Sequence, residues 1–358
     1  MSASRVKQSL GWRVARVLAG TWRESPPPVD FSAAELNEVT PLLLASGAGA
    51  LGWQRVRHSP LADTAAASSL HEAYRLHALH SAIHEAEIQQ LFIRFRAAGV
   101  EPVLVKGWAV ARWYSEKWLR PYGDVDLCFK SENYAKAAAV VRTLQGQPFN
   151  VDLHDGFAKL DGLSADELLA RSELVALGEV PVRVLGFEDQ LRILCTHLLR
   201  HGAWRPLWLC DIAVAIETRP ANFDWARFFG TDPLEADWLA CAIGLAHQLL
   251  GARVEDTPVA ARAEQLPRWF VPHVLKNWSA PFPINYPPMS YARPLRTYLR
   301  KPGGLLKTLR ARWPDALEAT IRRRGRLDES PRLPYQLSHL LSRVGRFITT
   351  LLKARRES

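Results

Sequence analysis

The sequence is short of cysteine. It has four, Cys128, Cys195, Cys210 and Cys241, and no CxxC pair among them. That scarcity argues against a disulfide framework and against a cysteine-ligated zinc site. Each thiol sits among apolar neighbours, which predicts buried, reduced side chains. The chain also lacks an uninterrupted apolar run of about 18 residues, so no membrane-spanning helix is expected. Arg13 and Arg16 break the apolar stretch near the N-terminus, and no export signal is expected there. Internal repeats and low-complexity tracts are missing too, which argues against a solenoid or a long disordered region.

What is present suits a folded protein with a sizeable core. The 358 residues are 48% hydrophobic, enough for two domains or one domain with a helical appendage. The formal charge is +10, and it is unevenly placed. From Arg293 to Ser358 there are 17 basic and 5 acidic residues, leaving 29 basic against 31 acidic elsewhere. A basic C-terminal tail that meets a polyanion or an anionic membrane surface is implied. A fold-wide nucleic-acid surface is not.

The hydrophobic pattern predicts a long helix over 63–98, closed by Gly99, with apolar positions including Leu70, Ile83, Ile88 and Phe95. VEPVLVKG then reads as a short buried strand running into a glycine, 108–118 as a helix, and 124–130 as a strand. A helix from Ser131 to about Leu144, strands over 148–154 and 180–186, and helices from Phe187 to about Leu250 complete the pattern. Residues 266–304, rich in Pro and Trp, read as irregular. The fold class is α+β: a small mixed β-sheet core flanked by N-terminal and C-terminal helical regions. The divisions expected are 1–64 helical, 65–186 core, 187–290 helical and 291–358 basic tail.

In LRPYGDVDLCF (119–129), Asp124 and Asp126 alternate with apolar residues. Positions i and i+2 of a strand share a face, so two carboxylates would project together about 7 Å apart. Such a pair repels unless a cation lies between, and oxygen donors favour Mg²⁺ or Mn²⁺. A bare DxD is more often a solvated strand end, but three neighbours raise its significance. Lys106 and Gly107 end the preceding strand, where a glycine lets backbone N–H groups approach a phosphate. Arg120 precedes the pair and can meet a phosphate. Asp152 lies on a later strand and supplies a third carboxylate, as a two-ion phosphoryl-transfer site requires.

With these residues on the page, VLVKGWAVARWY, LRPYGDVDLCF and NVDLH resemble the polymerase-β-like nucleotidyltransferase superfamily, and more narrowly a bacterial family of uncharacterised nucleotidyltransferases. Lys106, Gly107, Arg120, Asp124, Asp126, Asp152 and His154 match its pattern. Glu188, Asp189, His197 and Asp211 match further on, within FEDQLRILCTHLLRHGAWRPLWLCDIAVAI. The resemblance covers roughly residues 65–220. It implies transfer of a nucleoside monophosphate from an NTP to an acceptor with release of pyrophosphate, two Mg²⁺ or Mn²⁺ ions on Asp124, Asp126 and Asp152, and a triphosphate held by Lys106, Gly107 and Arg120. The acceptor stays open among small molecule, RNA, protein and glycan precursor. The expected location is cytoplasmic, or membrane-peripheral through the C-terminal helix. Trp108 departs from the small residue usual after the glycine. That keeps alive a catalytically degenerate binding module; a DxD glycosyltransferase is a further alternative.

Several residues have two readings. His197 and His201 share a helix face at metal-ligand spacing, and His197 is favoured as a structural or acceptor-contacting residue. His201 is read as a surface or capping residue. Asp211, in an apolar helix, needs a partner; a salt bridge to Arg205 or Arg192 is preferred over a ribose contact. His154 either orients Asp152 and accepts a proton or is a satisfied strand histidine. Trp204, Trp208, Trp269 and Trp278 are candidates for base stacking, though core roles are commoner. The C-terminal stripe Leu337, Leu340, Leu341, Val344, Phe347, Ile348, Leu351 and Leu352 is read as an ordinary face packing on the body, with an anionic membrane or RNA as the sharper readings.

Overall fold

The computed structural model describes residues 9–144, 150–155, 165–281 and 313–354. Three helices precede the long one among these residues: α1 (Leu10–Leu18), α2 (Ala33–Ser46) and α3 (Gly49–Val56). The proline run 26–28 separates α1 from α2, which starts at a reciprocal cap between Ser32 and Glu35. Helix α4 (Ala65–Ala97) is capped by Thr64, whose hydroxyl accepts from the Ala67 N–H. Its C-terminus closes where Gly99 takes a φ of 72° and Val100 N–H returns to the Phe95 carbonyl, 2.9 Å away.

The sheet follows. Strand β1 (Val103–Val105) leads into the short helix α5 (Gly107–Ala111). After a 3₁₀ turn at Lys117–Leu119 come β2 (Val125–Phe129), α6 (Ser131–Thr143) and β3 (Val151–Asp155). Helix α7 (Ala165–Arg171) precedes the hairpin of β4 (Glu173–Leu177) and β5 (Val180–Val184). The strand order is β3-β2-β1-β5-β4, with β2–β3 and β1–β5 parallel and β1–β2 and β4–β5 antiparallel. The helix expected over 108–118 is much shorter. Tyr114 and Trp113 are drawn instead towards Asp211 and Phe187 of the following helices, so tertiary contacts end it early.

The two faces of the sheet differ. Leu104, Val125, Leu127, Phe129, Val182 and Val184 pack under α4 and α6. Val103, Val105 and Cys128 point the other way, against Leu168 of α7 and Ile193. Period-two alternation therefore sends Asp126 to the second, less covered face. Ile83, expected in the core, is 47% exposed on α4.

The remaining helices are α8 (Phe187–Arg200), α9 (Pro206–Thr218), α10 (Trp225–Phe229), α11 (Pro233–Leu250), α12 (Ala260–Glu264), α13 (Phe270–Trp278), α14 (Ala316–Arg322) and α15 (Leu333–Ala354). Helices α8–α14 share one apolar core with α1–α3 and the first turns of α4. Helix α13 occupies part of the stretch read as irregular; residues 282–304 of that stretch lie outside the described residues. The four cysteines are buried, and burial pushes the thiols of Cys195, Cys210 and Cys241 up.

Candidate active site

Parallel pairing of β2 with β3 sets Asp126 directly opposite Asp152, and Cys128 opposite His154. Asp126, Asp152 and His154 thus share one face and converge. Each can present a ligand atom such that all three lie within 4.8 Å of one another, and no other such trio of His, Cys, Asp or Glu occurs among the described residues. His154 Nε2 is 2.7 Å from Asp126 Oδ1 and 3.4 Å from Asp152 Oδ2. Asp126 is 4% exposed, whereas the Asp152 side chain is 59% exposed. The site therefore has a buried inner carboxylate and an open outer one. Two carboxylates with one imidazole suit a hard divalent ion of the Mg²⁺ or Mn²⁺ kind, so the donors fit the ion expected from sequence.

Lys106 closes the inner side. Its ammonium lies 3.0 Å from both oxygens of Asp126. Burial alone would push the Asp126 carboxyl up, but the hydrogen bond from His154 and the charge of Lys106 outweigh it and hold the carboxyl below its ordinary range. Lys106 has a φ of 55°, and its N–H donates to Gln190 Oε1 at 3.3 Å. A lysine in this region of backbone space costs on the order of 1–3 kcal/mol, which the surrounding bonds must hold in place. Gly107 follows with a φ of 44°, and a Cβ there would meet only ordinary contacts, so its backbone angle is what favours glycine. Gln190 escaped the sequence reading. The only signal was its place beside the acidic start of α8.

Asp124 stands one residue before β2, is exposed, and is not part of the three-donor group. The strand begins too late to impose the shared-face geometry that DxD alternation suggests. Arg120 is placed differently from expectation. Its guanidinium is buried against Asp211, with Nη2–Oδ2 at 2.9 Å and Nε within 3.2 Å of both oxygens. Tyr114 Oη donates to the same carboxylate at 2.8 Å. This replaces the partners expected for Asp211: Arg192 pairs with Glu235, and Arg205 Nε donates to the Ser46 carbonyl. Asp211 is thus a buried anchor between α9 and the loop ahead of β2.

Trp108 does not crowd the carboxylates. Its indole is buried in the core under α4 and donates to Glu85 at 3.0 Å. His197 meets Trp208 edge-to-face and His201 lies tilted beside it, at 4.5 and 5.6 Å between ring centres. Trp269 and Trp278 donate to the backbone carbonyls of Leu327 and Ala203. Asp189 accepts two hydrogen bonds from Arg171, and Glu188 accepts the N–H of Asp224. A cleft of about 340 Å³ opens beside them, lined by Arg171, Glu173, Phe187, Glu188, Asp224 and Arg227.

The family model described as "Uncharacterised nucleotidyltransferase" matches residues 32–147 and 141–251, more than half of the chain. The chain belongs to this nucleotidyltransferase family. No curated protein and no solved structure matches it. The family match takes in every element that builds the site, from β1 and Lys106 to β3, α8 and the Asp211 anchor on α9. It also reaches back over α2 and α3, which precede the region carrying the sequence resemblance.

Proposed function

We propose that this nucleotidyltransferase moves a nucleoside monophosphate from an NTP to an acceptor and releases pyrophosphate, with Mg²⁺ or Mn²⁺. The observation that carries the reading is the register pairing of Asp126 with Asp152, with His154 bridging them, in a chain of this family. An acceptor oxygen forms a bond to the α-phosphorus, the bond from that phosphorus to the bridging oxygen breaks, and the electron pair leaves with pyrophosphate. When bound, two divalent ions would neutralise triphosphate charge and ease ionisation of the attacking hydroxyl.

The chain's own residues divide the remaining work. Asp126 and Asp152 would hold the ions, with Asp124 beside them. His154 orients the two carboxylates through its Nε2–H, and its Nδ1 is the nitrogen that would take the proton of the acceptor. Lys106 and Gly107 form the rim that meets the triphosphate. Arg120 acts at one remove: its pairing with Asp211 holds the loop that carries Asp124.

The test is pyrophosphate release from each of the four NTPs with Mg²⁺ or Mn²⁺ and a cell extract as acceptor source. Release that requires Asp126 supports the reading. NTP binding without release under every combination would favour a binding module instead. The sequence feature behind that alternative was Trp108, whose indole is buried and bonded to Glu85. Transfer from labelled UDP-sugars would identify the glycosyltransferase alternative.

A further inference from the structure

Helix α15 packs with its polar side and turns Leu333, Leu337 and Leu341 outward. Gln336 Nε2 donates to the Pro314 carbonyl at 2.7 Å. His339 is buried, with Nε2 3.7 Å from Glu318 of α14. On the opposite side Leu333, Leu337 and Leu341 are 51%, 43% and 71% exposed. Of the row expected to pack on the body, Leu337 and Leu341 are exposed and Leu340 is half-buried, while the side chains of Val344, Phe347, Ile348, Leu351 and Leu352 lie outside the described ones. In the sequence the same row continues through Val344, Ile348 and Leu351, at spacings of three and four.

We propose that this face lies on the anionic surface of a phospholipid bilayer. The charge of the segment selects that occupant. From Leu333 to Ser358 there are five basic residues (Arg343, Arg346, Lys353, Arg355, Arg356) and one acidic, Glu357. An outward apolar row on a cationic helix matches a membrane interface with anionic headgroups, where burial and charge attraction act together. A second copy of the helix would bring like charges together with almost no acidic partners. An RNA would satisfy the arginines but leave the leucines uncovered. No described helix is long and apolar enough to cross a membrane, so the helix rests in the interface plane.

The experiment uses the full chain and reads binding alone, so it is independent of the proposed reaction. Sedimentation is measured with vesicles of phosphatidylcholine, and of phosphatidylcholine mixed with phosphatidylglycerol. The wild-type chain is expected to sediment with the mixed vesicles only, and less so as salt rises. Leu337→Glu combined with Leu341→Glu should weaken this by about tenfold or more. Both sites are exposed, so Tm should not move; if it does, Leu337→Gln with Leu341→Gln takes the place of that pair under the same criteria. The proposal is overturned if the mixed vesicles are not bound, or if the leucine variants bind them as well as wild type. It is overturned equally by a wild-type dimer that the same substitutions dissociate without any vesicle binding, or by single-stranded RNA binding in preference to the mixed vesicles.

Discussion

His154 Nε2 lies 2.7 Å from Asp126 Oδ1, across the parallel junction of β2 and β3. The contact joins a buried carboxylate to the strand that carries the exposed one, Asp152. A satisfied strand histidine would need only one of them; this one is within 3.4 Å of the second as well. It makes the site a single electrostatic unit rather than two separate acids and a bystander imidazole.

Asp126→Asn should lower pyrophosphate release by roughly 10³-fold or more while the circular dichroism spectrum is unchanged, because an amide is a poor ligand for a hard cation. Asp152→Asn should act in the same direction. Full activity in Asp126→Asn would reject the assignment of the site.

Two groups make testable contributions to stability on the acid side. Burial, with the charges of His80 and Arg205, pushes His77 down to about 4 from its ordinary 6.5. The unfolded chain therefore binds a proton there between those values and the folded chain does not. Stability should fall as pH drops through that window, by at most about 3 kcal/mol. His77→Gln should flatten that slope in thermal melts taken from pH 7 to pH 4.

Asp315 acts in the same direction at lower pH. Burial pushes its carboxyl up, but bonds from His273, the Glu318 N–H and Asn277 prevail and hold it below the ordinary 3.8. Its stabilisation is complete above 3.8 and is lost as pH falls through the lower folded value. Asp315→Ala should therefore cost stability at pH 7 and much less at the most acid end of a melt series.

Breaking the buried Arg120–Asp211 pair should cost about 3–5 kcal/mol, since one charge is left without its partner. Asp211→Asn and Arg120→Met are the variants to compare by denaturant unfolding. The double variant should be less unstable than the sum of the two. Additive effects would show that the pair is not coupled.

Gly11 faces the backbone of α13 so closely that a Cβ would lie 1.9 Å from the Leu275 carbonyl oxygen. Gly11→Ala should destabilise by about 1–3 kcal/mol through forced separation of the two helices, despite alanine's better helix propensity. A raised Tm in this variant would contradict the close approach of α1 and α13.

The sheet's central strands and the long helix were legible because their signals are local. Alternation marked β2, Gly99 closed α4, and Ser131 opened α6. Strand β4 was missed, although ELVAL and VPVRV flank a Gly178–Glu179 turn. Its outer side is solvated and its register depends on β5, so little in the stretch itself marked it. The reach of α5 was overestimated because its end is set by Asp211 and Phe187, far along the chain.

By itself the sequence determined which residue types could form a cation site and that Asp126 and Asp152 would each sit among apolar strand residues. It also located the basic charge in the tail. The tertiary structure decided the partnerships. Register across β2 and β3 brought His154 to Asp126, and packing of α9 took Arg120 away from solvent and gave it to Asp211. It also turned Trp108 inward and Leu333, Leu337 and Leu341 of α15 outward. Periodicity fixes which residues share a face, because it depends on backbone geometry alone. Which face is covered depends on residues distant in the chain, and no local pattern encodes that choice.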